Sequence, residues 1–171
     1  CLSLYEFGDL EQAIIGFRTI QEVQSVSKRM RLNVLNKLGL IQRELGNTSE
    51  SMHYFESILN DEGLDSLRKG RALHNIAGLY LVAAQYEKAI DYYHQAIQTK
   101  SILTDKGPLF LSYLDLGETY LRINDFENAA IQFKKALGLE IEISANPDRF
   151  IIYQYLGMSL IKDMPELARA N

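Results

Sequence analysis

The residues best equipped for chemistry in this chain are three histidines, His53, His74 and His94, a single cysteine at position 1, and the carboxylate pair Asp115 and Glu118. A metal pair on a helix needs ligands at i and i+4, and these histidines fall on separate helices or on different faces. His53 and His94 read most simply as surface residues of a helix. Cys1 has no histidine in its own segment to activate it as a nucleophile, and a lone cysteine makes no internal disulfide. Asp115 and Glu118 are helical neighbours, where a charged pair is usually a solvated face. No phosphate-cradling glycine loop, nucleophile elbow or cysteine cluster occurs. The expectation is a chain that is not an enzyme, with no catalytic residue, no metal and no cofactor.

The elements that carry these residues recur. Gly39, Ala77, Gly117 and Gly157 stand in similar settings, Leu-Gly-Leu-Ile-Gln, Ile-Ala-Gly-Leu-Tyr, Leu-Gly-Glu-Thr-Tyr and Leu-Gly-Met-Ser-Leu, at steps of 38, 40 and 40 residues. Counting 38 back from Gly39 reaches Cys1, another small residue. Twelve residues after Cys1, Gly39, Ala77 and Gly117 comes a second small residue, Ala13, Ser51, Ala89 and Ala129, then a ring at Phe17, Phe55, Tyr93 and Phe133, then Ile20, Ile58, Ala96 and Ala136. Offsets of four and three place this second set on one helical stripe. A period of this size means stacked units, each a pair of helices.

The two helices of a unit are joined by Gly8-Asp9, Gly46-Asn47, Ala84-Gln85 or Asn124-Asp125. Gly or Asn can end a helix in the left-handed conformation, and Asp or Asn can cap the next. A turn this short forces the helices antiparallel, and the small residues allow the close crossing. Gly117→Leu is expected to overpack that crossing by roughly 1–3 kcal/mol. The helices predicted are 1–7, 9–23, 27–45, 48–60, 66–83, 85–100, 108–123, 125–143 and 147 to about 162, with a last piece from Pro165. Pro108 and Pro147 fall in the tolerated first turn.

This pattern resembles the tetratricopeptide repeat, which pairs a Leu-Gly and a Tyr on its first helix with an Ala, an aromatic and an Ala on its second. Ile76-Ala77-Tyr80-Ala89-Tyr93-Ala96 and Leu116-Gly117-Tyr120-Ala129-Phe133-Ala136 match best. The second unit departs with Gln42 for the Tyr and Ser51 for the Ala. The opening aromatic is Leu35, Leu73, Tyr113 and Tyr153, and the closing Pro is absent. The family's usual period is 34 residues, so these units carry about one extra helical turn. Units of that length resemble those of bacterial signalling regulators and of protein-binding scaffolds. The resemblance implies an all-α fold, a right-handed α–α superhelix of stacked antiparallel helix pairs. It divides the chain into a single array: a partial repeat at 1–24, repeats at 27–61, 66–100 and 108–143, and a partial repeat at 147–171.

Composition fits a helical array: of 171 residues, 23% are charged and only three are Pro. No apolar run approaches the 18 or more residues of a membrane span, and no secretion signal is seen. A formal charge of −4 and pI near 5.4 argue against a nucleic-acid surface. Lys28, Arg29 and Arg31 form the only dense basic cluster, and solvation suffices for it. Both ends fall partway through a helix, so the sequence is expected to be cut from a longer protein, cytoplasmic, with solenoid ends open to self-association.

In the family that the chain resembles, first helices line a concave groove. Phase from each Leu-Gly carries the groove to Asn33, Asn36, Leu40 and Arg43, then Arg71, His74, Gly78 and Leu81, then Leu111, Leu114, Glu118 and Leu121, and last Ile151, Gln154, Met158 and Ile161. The first half is polar and the second apolar, which suits a protein or peptide segment with an acidic or amide-rich end and an apolar body. Asn36, Arg71 and His74 partly echo the carboxylate grip of chaperone-binding members. The expected function is a non-catalytic protein- or peptide-binding scaffold; the alternative is a ligand- or peptide-sensing segment of a bacterial transcription regulator or sensor kinase. Leu114→Glu is expected to abolish capture without unfolding the chain.

Overall fold

Three turns of the same construction set the architecture. In each, a helix ends by placing one residue in the left-handed region, at Gly46 (φ 78°), Ala84 (φ 55°) and Asn124 (φ 61°). The N–H of that residue bonds the carbonyl three back, and the next N–H bonds the carbonyl five back: Gly46 to Arg43 and Asn47 to Gln42, Ala84 to Leu81 and Gln85 to Tyr80, Asn124 to Leu121 and Asp125 to Tyr120. This is the Schellman arrangement, which satisfies the helix's last carbonyls and reverses the chain within two residues. Ala84 holds the left-handed conformation without being Gly or Asn, at a steric cost of about 1–2 kcal/mol. Ala84→Gly is therefore expected to stabilise the chain by about 0.5–1 kcal/mol once Gly's extra unfolded-state entropy is offset. A urea midpoint that does not rise would count against this.

The computed structural model describes residues 10–22 and 26–140. Seven helices occupy them: α1 Leu10–Glu22, α2 Lys28–Glu44, α3 Thr48–Leu59, α4 Ser66–Val82, α5 Tyr86–Lys100, α6 Gly107–Arg122 and α7 Phe126–Glu140. No strand occurs among the described residues. Starts are capped by side chains where chemistry allows. Ser27 Oγ accepts from Met30 N, Asp65 Oδ1 from Arg68 N at 3.0 Å, and Asp125 Oδ1 from Asn128 N at 3.1 Å. Asn47 does not cap α3, contrary to the turn's sequence reading. Its amide donates instead to Gln42 Oε1 at 2.7 Å. Gln42 is thereby a buried polar residue with a partner, at the position where the later repeats carry Tyr80 and Tyr120.

Consecutive helices pack on one another throughout, so the pairs are antiparallel and stacked. Beyond neighbours, α2 touches α4 and α4 touches α6, whereas α1, α3, α5 and α7 do not meet one another. A stack whose alternate helices meet on one side and splay on the other must curve toward the side that meets. The first helices α2, α4 and α6 therefore form the concave wall, in an all-α solenoid. Its core repeats with the sequence. Phe55, Tyr93 and Phe133 are buried under the first helices, with Ala89, Ala96, Ala129 and Ala136 sealed beside them. A Cβ added at Gly39 would stand 2.6 Å from the Phe55 ring, and one at Gly117 would stand 2.5 Å from Phe133. In the second unit Ser51 replaces the family's Ala and uses its hydroxyl to donate to Gly39 O at 2.7 Å.

Candidate functional site

Two arrangements involve the first helices. The first is a cavity of about 690 Å³ bordered by α1, α2, α3 and α4. Its floor is apolar: Phe17 and Ile20 on α1, Leu32 and Val34 on α2, and Ile58 near the end of α3. Asn33, Asn36 and Lys37 enter from α2, and Arg68 and Arg71 from the first turn and a half of α4. Met30, about half exposed, stands at the lip. Asn36 is held in place, because its Oδ1 accepts from Asn75 Nδ2 at 2.9 Å. Asn33, Asn36 and Arg71, all of the phase assigned to the groove, border this cavity together. Arg68 and the α1 residues were not expected there.

The second arrangement joins α4, α5 and α6 through a chain of polar groups. Lys100, only 2% exposed at the end of α5, donates to Ser112 Oγ at 2.7 Å and to Pro108 O at 3.0 Å. Its stem crosses α4 at Gly70, where a Cβ would stand 2.6 Å from Lys100 Cγ. Ser112 Oγ lies 3.0 Å from His74 Nδ1, and His74 Nε2 lies 3.3 Å from Asp115 Oδ2. Burial, with Lys100 and Arg43 adding repulsion, pushes His74 down to about 3. The ring is therefore neutral near pH 7: Nε2–H donates to Asp115 and Nδ1 accepts from Ser112, a hydrogen-bonded contact rather than an ion pair. Burial also drives Lys100 down to about 7; the Asp115 charge opposes this and Arg71 reinforces it. Asp115 is pushed up to about 6, by burial first and then by Glu118.

A serine, a histidine and an aspartate in sequence call to mind nucleophilic catalysis, but Ser112 is fully buried and its oxygen already accepts from Lys100. A hydroxyl sealed in this way meets no substrate, and the chain of bonds instead locks the third repeat to the fourth.

His74, expected as a groove contact, spends both ring nitrogens on this network, and its ring edge packs on Tyr93 at 5.5 Å between centroids. In this arrangement neither ring nitrogen of His74 is open to a partner. Arg43 reaches over α4, close enough that a Cβ on Gly78 would lie 3.5 Å from its guanidinium, and it favours the charged form of Asp115. Glu118 pairs with Arg122 at 2.9 Å. Leu40 and Leu81 pack partly buried against the cores of their own units, and Leu114 and Leu121 against that of the fourth. Among the described residues of the apolar set only Leu111 is strongly exposed, at 48%. Leu114→Glu is thus a substitution into packing as well as into the groove. Met158, with Ile151, Gln154 and Ile161, lies outside the described residues, as does Cys1. No described helix is long and apolar enough to cross a membrane.

Residues 66–139 match a family model described as tetratricopeptide repeat, and residues 32–60 match a second with the same description. No curated protein matches the chain in sequence. Among solved structures, BtubC (BKLC) from P. vanneervenii superposes with a TM-score of 0.82 at 19% identity, over 98% of this chain and 71% of that one. The apo form of RapI gives 0.79 at 15% identity, over 95% of this chain and 61% of RapI. A putative kinesin light chain of Podosopora anserina with nearly identical TPR-like repeats gives 0.70 at 16%, over 94% and 82%. At these identities the likeness is one of fold.

Proposed function

This chain belongs to the tetratricopeptide-repeat family, and from that membership we propose that it is a non-catalytic scaffold that holds a protein or peptide segment along the concave face of α2, α4 and α6. The observation that supports the reading is a cavity of about 690 Å³ between α1, α2, α3 and α4, which Asn33 and Asn36 of α2 and Arg71 of α4 border. That volume is in the range of sites that enclose a bound group. The Asn36–Asn75 bond fixes a hydrogen-bonding side chain before any partner arrives, which lowers the ordering cost of binding. Extended or helical segments are recognised by just such a combination of an apolar recess and oriented polar groups.

The test is to select peptides from a random display library against the intact chain and to map the bound peptide by amide hydrogen exchange. Protection is expected on α2, α4 and α6. Protection concentrated on the outer faces of α3, α5 and α7, around His53 and His94, would overturn the reading. Leu111→Glu gives an independent check. Because Leu111 is exposed, the change should move stability by no more than about 0.5 kcal/mol, while slowing capture of any segment that runs the length of the groove.

A further inference from the structure

The groove cavity has a charge balance opposite to that of the chain. Acids outnumber bases 22 to 18 overall, yet among the described residues no Asp or Glu lines the cavity, and three cations do: Lys37 on α2, and Arg68 and Arg71 on α4. Two of these have capacity to spare. Arg71 is exposed, and no carboxylate among the described residues stands within ion-pair distance of it. Arg68 pairs with Asp65 through Nη1, but its buried Nε finds no acceptor among the described residues. A buried N–H without an acceptor is a standing cost that an arriving oxygen relieves. Below these cations the floor is purely hydrocarbon, from Phe17, Leu32 and Ile58.

We propose that the cavity selects a peptide segment in which bulky apolar residues are followed directly by a run of Asp or Glu side chains. The apolar residues enter over Phe17, Leu32 and Ile58, and the carboxylates fall among Lys37, Arg68 and Arg71. Arg68 and Arg71 stand three residues apart on α4, so their side chains lie on one face and favour two carboxylates over one. Guanidinium pairs such as Arg68 and Arg71 bind carboxylates in a fixed fork geometry that an ammonium lacks. This inference rests on the groove reading above and narrows it to one class of partner.

The experiment uses the full chain and an N-acetylated, C-amidated, fluorescein-labelled peptide containing Leu-Phe-Asp-Glu-Asp-Glu, read by fluorescence anisotropy in 50 mM salt. Three comparison peptides replace Leu-Phe by Ser-Ser, the acids by Asn and Gln, or the acids by Lys and Arg. Saturable binding of the first is expected, at least tenfold weaker for each of the others, and weakened again in 500 mM salt as exposed charge pairs are screened. Arg71→Glu should weaken binding at least tenfold with an unchanged melting curve, since the side chain is exposed. The exposed outer-face variant His53→Glu should bind as the parent does. Equal binding of the amide or basic peptides, no binding of the acidic one, or indifference to Arg71→Glu would overturn the proposal. So would a chain that sediments as a dimer and becomes monomeric with Arg71→Glu, because a second copy would then fill the cavity. If library-selected peptides protect the concave helices while this probe fails, the groove reading stands and this inference alone falls.

Discussion

Gly117→Leu should destabilise the chain by about 3 kcal/mol, at the upper end of the usual range for overpacking, and lower the melting midpoint by roughly 6–12 °C for a chain of this size. The reason lies in one contact. A Cβ at 117 would sit 2.5, 2.8 and 2.9 Å from three atoms of the Phe133 ring, and that ring is fully buried with no room to retreat. Three further carbons have to displace the ring or separate α6 from α7. Gly117→Ala adds only the first carbon and should cost about 1 kcal/mol. Repeat three shows that one methyl can be housed, since Ala77 is buried in the same cluster as Tyr93. Combining Gly117→Leu with Phe133→Ala should return at least 1 kcal/mol of the loss, a coupling that a double-mutant cycle measures directly. Equal melting curves for parent and Gly117→Leu would mean that these two helices do not cross at this residue.

That crossing was legible in the sequence because it depends on periodicity, and periodicity survives weak individual copies. The step from Gly39 to Ala77 to Gly117 locates each first helix, and the twelve-residue offset locates its partner. The same phase picks out Asn33, Asn36 and Arg71, and all three border the cavity. Phase specifies a face, however, and not a void. Phe17, Ile20 and Ile58 belong to the stripe that packs the core, and nothing in their spacing says that part of their surface stays open to the groove. Nor does phase say how far a side chain travels. His74 has groove phase, yet residue 112 one unit later carries a hydroxyl that captures its ring, and Lys100 reaches that hydroxyl only because position 70 has no side chain in the way. Such links arise from three helices at once. No single repeat contains them.

Lys100 should make the chain's stability rise between pH 7 and 9.5, by on the order of 3 kcal/mol. Its amine titrates near 7 in the folded chain, against 10.5 for the group unburied. Between those values the unfolded chain holds a proton that the folded chain has shed, so raising the pH favours folding, with a limiting slope of about 1.4 kcal/mol per pH unit. Below pH 7 both states are protonated and this contribution is flat. Tyr93 ends the window from above. Its hydroxyl is pushed well up by burial and by the charges of Asp115 and Glu118, so beyond pH 10 the unfolded chain releases the tyrosine proton first and stability falls. On the acid side two neighbours oppose each other. His74, pushed down to about 3, costs stability as pH drops from 6.5, whereas Asp115, pushed up to about 6, adds stability as pH drops from 6 toward 3.8. The acid limb should therefore be shallow until Asp115 is protonated in both states. Lys100→Met keeps the stem that fills the space over Gly70 and removes the titrating group. Ser112 retains His74 as a partner. Urea midpoints measured from pH 7 to 9.5 should rise for the parent and stay level for Lys100→Met. Parallel curves for the two would show that the amine is charged and solvated in the folded chain, and that the bond chain from Lys100 through Ser112 and His74 to Asp115 does not hold the third repeat to the fourth.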